Sequence, residues 1–219
     1  MRSFRKHQKR FRGYNDSPAG VMLPIAFGGY HYADLRWGKK SLASAKRQAE
    51  IFVKTLGPLK PGDLPPALDL EWQSYPGGTK DEKKLARGKD LGARAAKFPA
   101  SQVLAWALTF LERVEELTGI TPVLYTGRSF WHYRLARTKR LARYPIWQAA
   151  YVALDNLFGP PEHNPPVSMA EAGTLHIWQY TGKGKCYGYR NGAGKIDRDL
   201  FIGSEADFAT FLVQPKGEA

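Results

Sequence analysis

Short apolar segments alternate with longer helical patterns through the first half of this 219-residue chain. Residues 21–32 and 67–72 have the compact apolar character of buried strands, and between them residues 41–56 carry apolar side chains at helical spacing. A second helical pattern covers residues 101–117, and another strand-like segment follows at residues 122–127. Strands that alternate with helices need crossover connections, so the pattern predicts an α/β fold built on a parallel sheet, curled or open.

The alternation weakens later in the chain, where strand-like segments follow one another with little helix between them. The expected elements are, in order, a helix over residues 128–143, strands at 144–152, 175–181 and 195–203, and a short helix from Ser204. No internal repeat or clear linker divides the chain. One domain is therefore expected over residues 21–214, after a basic segment over residues 1–20.

Two carboxylates, Asp69 and Glu71, lie two residues apart inside the apolar segment from Pro65 to Trp72. Side chains at positions i and i+2 of a strand point to the same face, roughly 6.6 Å apart along the strand. Acids held this close beside apolar groups have split pKa values, so that one stays protonated while the other is ionised. Glycoside hydrolysis needs such a pair. The alternative is a salt-bridged or solvent-facing pair at a strand end.

The chain is strongly basic, with a formal net charge of +13. Its field attracts polyanions, which include nucleic acids, anionic lipid surfaces and bacterial wall polymers, and charge alone does not choose among them. The sequence has no RNA-reading aromatic motif, no zinc-finger spacing and no basic region followed by heptads, so nucleic acid is not an expected partner. Aromatic residues make up 13% of the chain, which suits either a tryptophan-rich core or a sugar-binding cleft.

Several enzyme classes are excluded by motifs that fail. Residues 192–195 lack the context of a phosphate-binding loop, and Gly127–Ser129 lacks the second glycine of a nucleophile elbow. The five histidines show no metal-ligand spacing, and Cys186 has no second cysteine to pair with, so we expect neither a metal nor another cofactor. No apolar run approaches the ~18 residues of a membrane span, and no secretory signal is visible, so membrane insertion is not expected.

Six segments follow one another in a characteristic order. They are Gly29–Tyr32 (GYHY), Ala67–Glu71 (ALDLE), Pro122–Thr126 (PVLYT), Ile146–Tyr151 (IWQAAY), Trp178–Tyr180 (WQY) and Ile196–Phe201 (IDRDLF). This order resembles that of the glycoside hydrolase family 25 lysozymes, the Chalaropsis-type muramidases. The resemblance implies a modified TIM-type barrel, in which β/α units are followed by strands with little helix.

The resemblance also implies a reaction, the hydrolysis of the β-1,4 bond between N-acetylmuramic acid and N-acetylglucosamine in peptidoglycan. It assigns Glu71 as the general acid, Asp69 as the partner carboxylate and Asp197 as a further active-site carboxylate. Whether Asp69 attacks directly or assists the substrate's own acetamido group stays open. Carboxyl separations of about 5–5.5 Å favour retention and about 6.5–9.5 Å favour inversion, and a strand pair of this kind fits either range.

The residues that the resemblance assigns to substrate binding are mostly aromatic. They are Tyr30, His31, Tyr32, Tyr125, Trp147, Tyr151, Trp178 and Gln179. The implied partner is the glycan strand of peptidoglycan, bound by a monomer. The implied place of action is extracellular, or in the cell wall or periplasm.

The chain departs from the family pattern at its beginning. Family members start with a strand that carries an Asp, followed by a second strand, before the helix that leads to the YHY segment. Here the YHY segment is complete by Tyr32 and only a basic segment precedes it. We therefore expect an N-terminally incomplete barrel, in which activity is impaired by the missing strands. The alternative function is a catalytically impaired protein that binds peptidoglycan or another glycan.

Overall fold

The computed structural model describes residues 26–35, 41–72, 99–152, 172–184 and 196–215. Within these ranges strands and helices alternate at first, and strands dominate later. The elements are β1 (Tyr30–Tyr32), α1 (Ser41–Leu56), β2 (Ala67–Asp69), α2 (Ala100–Thr118), β3 (Val123–Gly127), α3 (Arg128–Arg134), β4 (Ile146–Ala149), β5 (Leu175–Gly184), β6 (Ile196–Phe201) and α4 (Glu205–Phe211).

The strands form a single mixed sheet in the order β1-β2-β3-β4-β5-β6. Strands β1 to β5 run parallel, and β6 pairs antiparallel with β5. Neighbouring strands of a flat sheet lie about 4.8 Å apart, so β2 and β6 would be almost 20 Å apart if this sheet were flat. Carboxylates on these two strands nevertheless interact electrostatically, which shows that the sheet curls into a half-barrel. The predicted α/β fold is confirmed.

The core lies between the outer face of the sheet and the helices α1 and α2. Leu68, Leu70 and Leu124 point from the sheet into this layer and are fully buried. From the helices, Ala49 and Phe110 meet them, each with no exposed surface. The apolar residues at helical spacing in residues 41–56 and 101–117 therefore form the buried face of each helix. Because this layer takes the alternate residues of each strand, the residues between them face the inside of the half-barrel.

Helix α3 is shorter than the sequence pattern indicates, since it ends at Arg134 rather than at residue 143. Ala136 and Arg137 both have left-handed backbone conformations, with φ of 49° and 55°, which an α-helix does not allow. Leu141 and Tyr144 in the following turns are buried. The apolar residues after Arg134 are thus buried from turns, and not from the longer helix that the sequence pattern predicted.

Some expectations fall on residues outside the described ranges. The basic segment 1–20 and the departure expected at the start of the barrel lie there, as do residues 73–98 and 153–171. Among the helices that the structure describes, none is long and apolar enough to cross a membrane.

Candidate active site

Strand β2 carries the first two carboxylates of the site at its C-terminal end. It lies between β1 and β3, and the backbone continues this pairing beyond its last residue, since the Leu70 amide donates to the Tyr125 carbonyl at 2.9 Å. Leu68 and Leu70 fill the core under the helices, so Asp69 and Glu71 project from the opposite face. Active sites of barrel enzymes lie at this end of parallel strands.

A third carboxylate, Asp197, reaches the same place from β6. Its negative charge acts on both Asp69 and Glu71. Gly182 in the neighbouring strand β5 leaves room for it, because a β-carbon at position 182 would lie 3.1 Å from Asp197 Oδ1 and 3.4 Å from the Tyr151 hydroxyl. The curled sheet thus brings together the acids that the sequence singled out.

The environment of these acids favours their protonated forms. Burial raises the pKa of Asp69 to about 8, and the nearby charges of Glu71 and Asp197 act in the same direction. The buried Oδ1 atom of Asp69 has no hydrogen-bond partner among the described residues, so nothing there offsets the loss of water. Burial also raises the pKa of Glu71, with a further contribution from Asp197. The cluster therefore retains a proton at neutral pH.

A buried amide joins two tyrosines beside the acids. The Tyr125 and Tyr151 hydroxyls both donate to Gln179 Oε1, at 2.8 and 2.9 Å. Burial raises the pKa of both tyrosines, and cleft carboxylates add to the effect: Glu71 most for Tyr125, and Asp197 most for Tyr151. Both phenols consequently stay protonated, and their shared acceptor fixes the orientation of the Gln179 amide.

Trp147 is held on the same face of the sheet. Its indole Nε1 donates to Asp199 Oδ1 at 2.7 Å, and its ring meets the Tyr125 ring edge-on with centroids 5.0 Å apart. Asp199 is a member of the site that the sequence reasoning missed. The signal was available, since Asp197 and Asp199 stand two residues apart in a strand, as Asp69 and Glu71 do.

The edge of the described sheet adds exposed aromatic rings. Tyr32 is in register with Asp69, and its hydroxyl donates to the Trp72 carbonyl at 3.3 Å. The Trp72 indole donates in turn to Ser129 Oγ at 3.0 Å. Tyr30 and Tyr32 expose 61% and 40% of their surface. These rings offer apolar faces to a ligand that enters the half-barrel from this side.

Two residues expected in the cleft are not brought there. His31 lies on the helix side of β1, where it stacks on Phe110 at 5.0 Å and bonds to Gln48 at 2.6 Å. Trp178 is completely buried on the same side of the sheet, and its indole donates to the Ala150 carbonyl. Strand alternation explains both positions, because each residue is flanked by neighbours that face the other way. The structure therefore does not bring the side chains of these two residues to the cleft face of the sheet.

Among the described residues, no group of three or more His, Cys, Asp or Glu side chains is arranged to hold a metal ion. The side chains that the described site does offer are carboxyl groups, phenols, an amide and an indole. Carboxyl groups with raised pKa values can exchange protons with a bound molecule near neutral pH. The aromatic rings around them can stack on it.

Comparison with known proteins places this chain in a family. The description of the matching family is "Glycosyl hydrolases family 25", and the match covers residues 22–189. A curated relative, the uncharacterized protein YegX of Escherichia coli O157:H7, is 28% identical over 185 residues, which are 84% of this chain and 51% of YegX. The chain thus spans about half the length of the curated relatives it matches.

Solved structures agree with this match. A family GH25 lysozyme from Aspergillus fumigatus has a TM-score of 0.55 at 25% identity, with 84% of this chain and 72% of that chain covered. The spore cortex lytic enzyme SleM of Clostridium perfringens has a TM-score of 0.56 at 26% identity, with 84% and 51% covered. A bacterial lysozyme from Streptomyces coelicolor shares the fold, with a TM-score of 0.59 at 24% identity and 84% and 71% covered. The resemblance read from the sequence is confirmed, and the chain belongs to glycosyl hydrolase family 25.

Proposed function

We propose that this protein is a muramidase, which hydrolyses the β-1,4 bond between N-acetylmuramic acid and N-acetylglucosamine in peptidoglycan. The observation that carries the proposal is the convergence of Asp69, Glu71 and Asp197 at one end of the half-barrel, with raised pKa values for the first two. Family membership and the lysozymes among its structural neighbours support the same reaction.

The proposed mechanism starts from a proton held by the Asp69–Glu71 pair. Glu71 protonates the oxygen of the leaving sugar, and the Asp69 carboxylate faces the positive charge that develops at the reacting carbon or at the acetamido group beside it. In the free cleft burial raises the pKa of both carboxyls, that of Asp69 to about 8. Because the two carboxyls are coupled, the proton belongs to the pair, and a sugar oxygen placed beside Glu71 draws on it there.

The aromatic residues of the cleft are proposed to bind the glycan strand. Tyr30 and Tyr32 expose large parts of their rings at the sheet edge, and Tyr151 is 63% exposed near Asp197. Apolar faces of pyranose rings pack well on such surfaces. Trp147 and the amide of Gln179 complete this set on the inner face. Peptidoglycan is the proposed partner, bound by a monomer.

The proposed place of action is outside the cytoplasm, in the wall or periplasm, because that is where the substrate lies. The formal net charge of +13 supports this assignment, since bacterial walls carry anionic polymers that attract a basic protein.

Loss of turbidity of purified bacterial walls tests the reaction, with release of reducing ends as a second readout. Glu71→Gln keeps the shape of the side chain but has no proton to donate, so activity should fall by about 10²–10⁴-fold. The matched control is Glu112→Gln, which makes the same change at an exposed position on α2. Equal activity in Glu71→Gln and wild type would overturn the role of Glu71. Retention of wild-type protein on walls without any release of reducing ends would instead favour a glycan-binding protein.

A further inference from the structure

We infer that Asp199 is a positioning residue, which fixes the orientation of the Trp147 indole so that the ring forms one wall of a sugar-binding site. This inference rests on the proposed muramidase function and adds a residue to it. Asp199 acts through Trp147 and not on the reacting bond.

The contact between the two residues spans the sheet. Trp147 belongs to β4 and Asp199 to β6, and β5 runs between these strands. The hydrogen bond of 2.7 Å from indole Nε1 to Asp199 Oδ1 therefore passes over β5 on the cleft face. Asp199 is in register with Gln179 on β5, the residue that orients Tyr125 and Tyr151. The bond thus ties the indole to the strand that carries Asp197.

The indole is fixed from two sides and remains partly exposed. The Tyr125 ring packs against it edge-on, at an interplanar angle of 72°, and Asp199 holds its polar edge. Trp147 is only half-buried, so part of its ring is accessible from the cleft. A tryptophan without these contacts rotates about two side-chain bonds, and a ligand that stacks on it must first stop that motion. The pair removes this cost before a sugar binds.

Asp199 differs from Asp197 in the groups on which its charge acts. The β6 carboxylate whose charge raises the pKa values of Asp69 and Glu71 is Asp197. Asp199 instead faces the Trp147 indole, with Asp197 on its own strand and the Tyr151 hydroxyl as the titratable groups near it. The two inward-facing residues of β6 therefore have different roles. Asp197 raises the pKa values of the acids, and Asp199 accepts the hydrogen bond of the Trp147 indole.

The strength of this contact depends on the charge of Asp199. Asp199 is an exposed residue of β6, but neighbouring atoms displace water from its carboxyl and raise its pKa to about 6; the Trp147 hydrogen bond opposes the shift, and Asp197 adds to it. Above this pH the indole donates to a carboxylate, and a charge-assisted bond is about twice as strong as a neutral one. Below it Asp199 is neutral and the indole is held less firmly.

A double-mutant cycle on glycan hydrolysis tests whether Asp199 acts through Trp147. The variants are Asp199→Ala, Trp147→Phe, which lacks the indole N–H, and the combination of both. Asp199→Ala should raise the KM for soluble peptidoglycan fragments roughly five- to tenfold while kcat changes less than about twofold, a loss of the size expected for one charge-assisted bond. The KM of the double variant should be no higher than that of Trp147→Phe alone. Asp199→Asn should give an intermediate KM, because its amide oxygen still accepts the bond. Additive effects, or a loss confined to kcat, would overturn the inference.

A measurement without catalysis separates this inference from the proposed reaction. The indole N–H resonance of Trp147, assigned by its loss in Trp147→Phe, should shift with pH in the ¹⁵N-labelled protein, with a midpoint near 6. The shift should vanish in Asp199→Asn, and its midpoint should move to lower pH in Asp197→Asn. A resonance that does not titrate in wild type would overturn the role of Asp199. A normal titration in a protein that releases no reducing ends would leave that role standing and overturn the muramidase proposal.

Discussion

At the scale of single residues, the Asp69 carboxyl is the most constrained group in the site. Its Oδ1 atom is buried without a hydrogen-bond partner among the described residues, and its pKa is raised to about 8. An isolated buried carboxylate is costly, so the folded protein favours the protonated form. A carboxyl selected for stability would be paired or exposed. The fold therefore retains Asp69 at a cost in stability.

This cost predicts that Asp69→Asn stabilises the protein at alkaline pH. The folded pKa of about 8 lies above the unfolded value of 3.8, so the folded state binds the proton more tightly. In wild type, the favourable contribution of the protonated group is complete below pH 4 and is lost as the pH rises towards 8. Asn is neutral throughout, and we expect it to gain on the order of 1–3 kcal/mol relative to wild type near pH 8. Urea unfolding at several pH values measures the difference. A constant difference from pH 4 to pH 8 would contradict this account of Asp69.

The negative charge of Asp197 raises the pKa values of the other two acids. This effect leads to a prediction for the pH dependence of activity. Removal of its charge by Asp197→Asn lowers the pKa of both Asp69 and Glu71. Since the pair must hold a proton for catalysis, activity falls as the pH rises through its pKa. The alkaline limb of the kcat profile should therefore move to lower pH in this variant. A limb that stays in place or moves to higher pH would separate Asp197 from the acid pair.

At the scale of secondary-structure elements, strand alternation decides which residues enter the site. The six segments of the sequence place the motifs in order but do not state which face each residue occupies. In the YHY strand the two tyrosines are exposed on one face, while His31 packs on Phe110 under the helices. The same alternation puts Gln179 in the cleft and Trp178 in the core. Applied to every strand, this rule puts His31 and Trp178 on the helix side of the sheet and Asp199 on the cleft side.

Helical spacing was informative where a helix buries a long apolar face. Helices α1 and α2 follow the predicted segments closely, and Gly119 ends α2 in a left-handed conformation, which glycine adopts readily. Helix α3 was overpredicted, because the left-handed residues that follow it are Ala136 and Arg137. Neither residue type signals that conformation, which tertiary packing imposes.

The close approach of β5 to β6 predicts that Gly182→Ala impairs catalysis. The added β-carbon would lie 3.1 Å from Asp197 Oδ1, so the carboxyl must move by a few tenths of an ångström or more. Displacement of this carboxyl, which is proposed for the active site, should lower kcat about tenfold on this scale. Gly127→Ala is a matched control, because its β-carbon meets an ordinary contact at 3.8 Å. Steady-state kinetics and thermal unfolding of both variants measure the effect. Equal kcat values for the two variants would show that the space at position 182 is not needed.

At the scale of the whole molecule, a curled sheet joins two separate strand ends into one cleft. The helix layer takes the apolar residues of β2 and β3, and the inner face is left to acids and aromatic rings. The acids come from β2 and β6, which are far apart in the sheet order. Sequence spacing predicted the Asp69–Glu71 pair, since it is local. The meeting of this pair with Asp197 depends on curvature, and only the resemblance to a family indicated it beforehand.

The net charge of +13 belongs to the molecule as a whole and predicts how it binds walls. Long-range attraction to anionic polymers is screened by salt, with a Debye length that falls from about 14 Å at 0.05 M to about 4 Å at 0.5 M. Retention on purified walls should drop several-fold over this range, while kcat on soluble fragments should change little. Co-sedimentation with walls measures the first quantity and reducing-end release the second. Salt-independent retention would show that the charge does not contribute to wall binding.

In the proposed reaction, the Asp69–Glu71 pair cleaves one defined bond in peptidoglycan. Identification of the sugar at the newly formed reducing end, by borohydride reduction and mass spectrometry of the digest, tests this claim most directly. A muramidase leaves N-acetylmuramic acid at the reducing end, so wild type should yield N-acetylmuramitol and Glu71→Gln should yield almost none. Products that end in N-acetylglucosamine, or equal yields from wild type and Glu71→Gln, would contradict the claim.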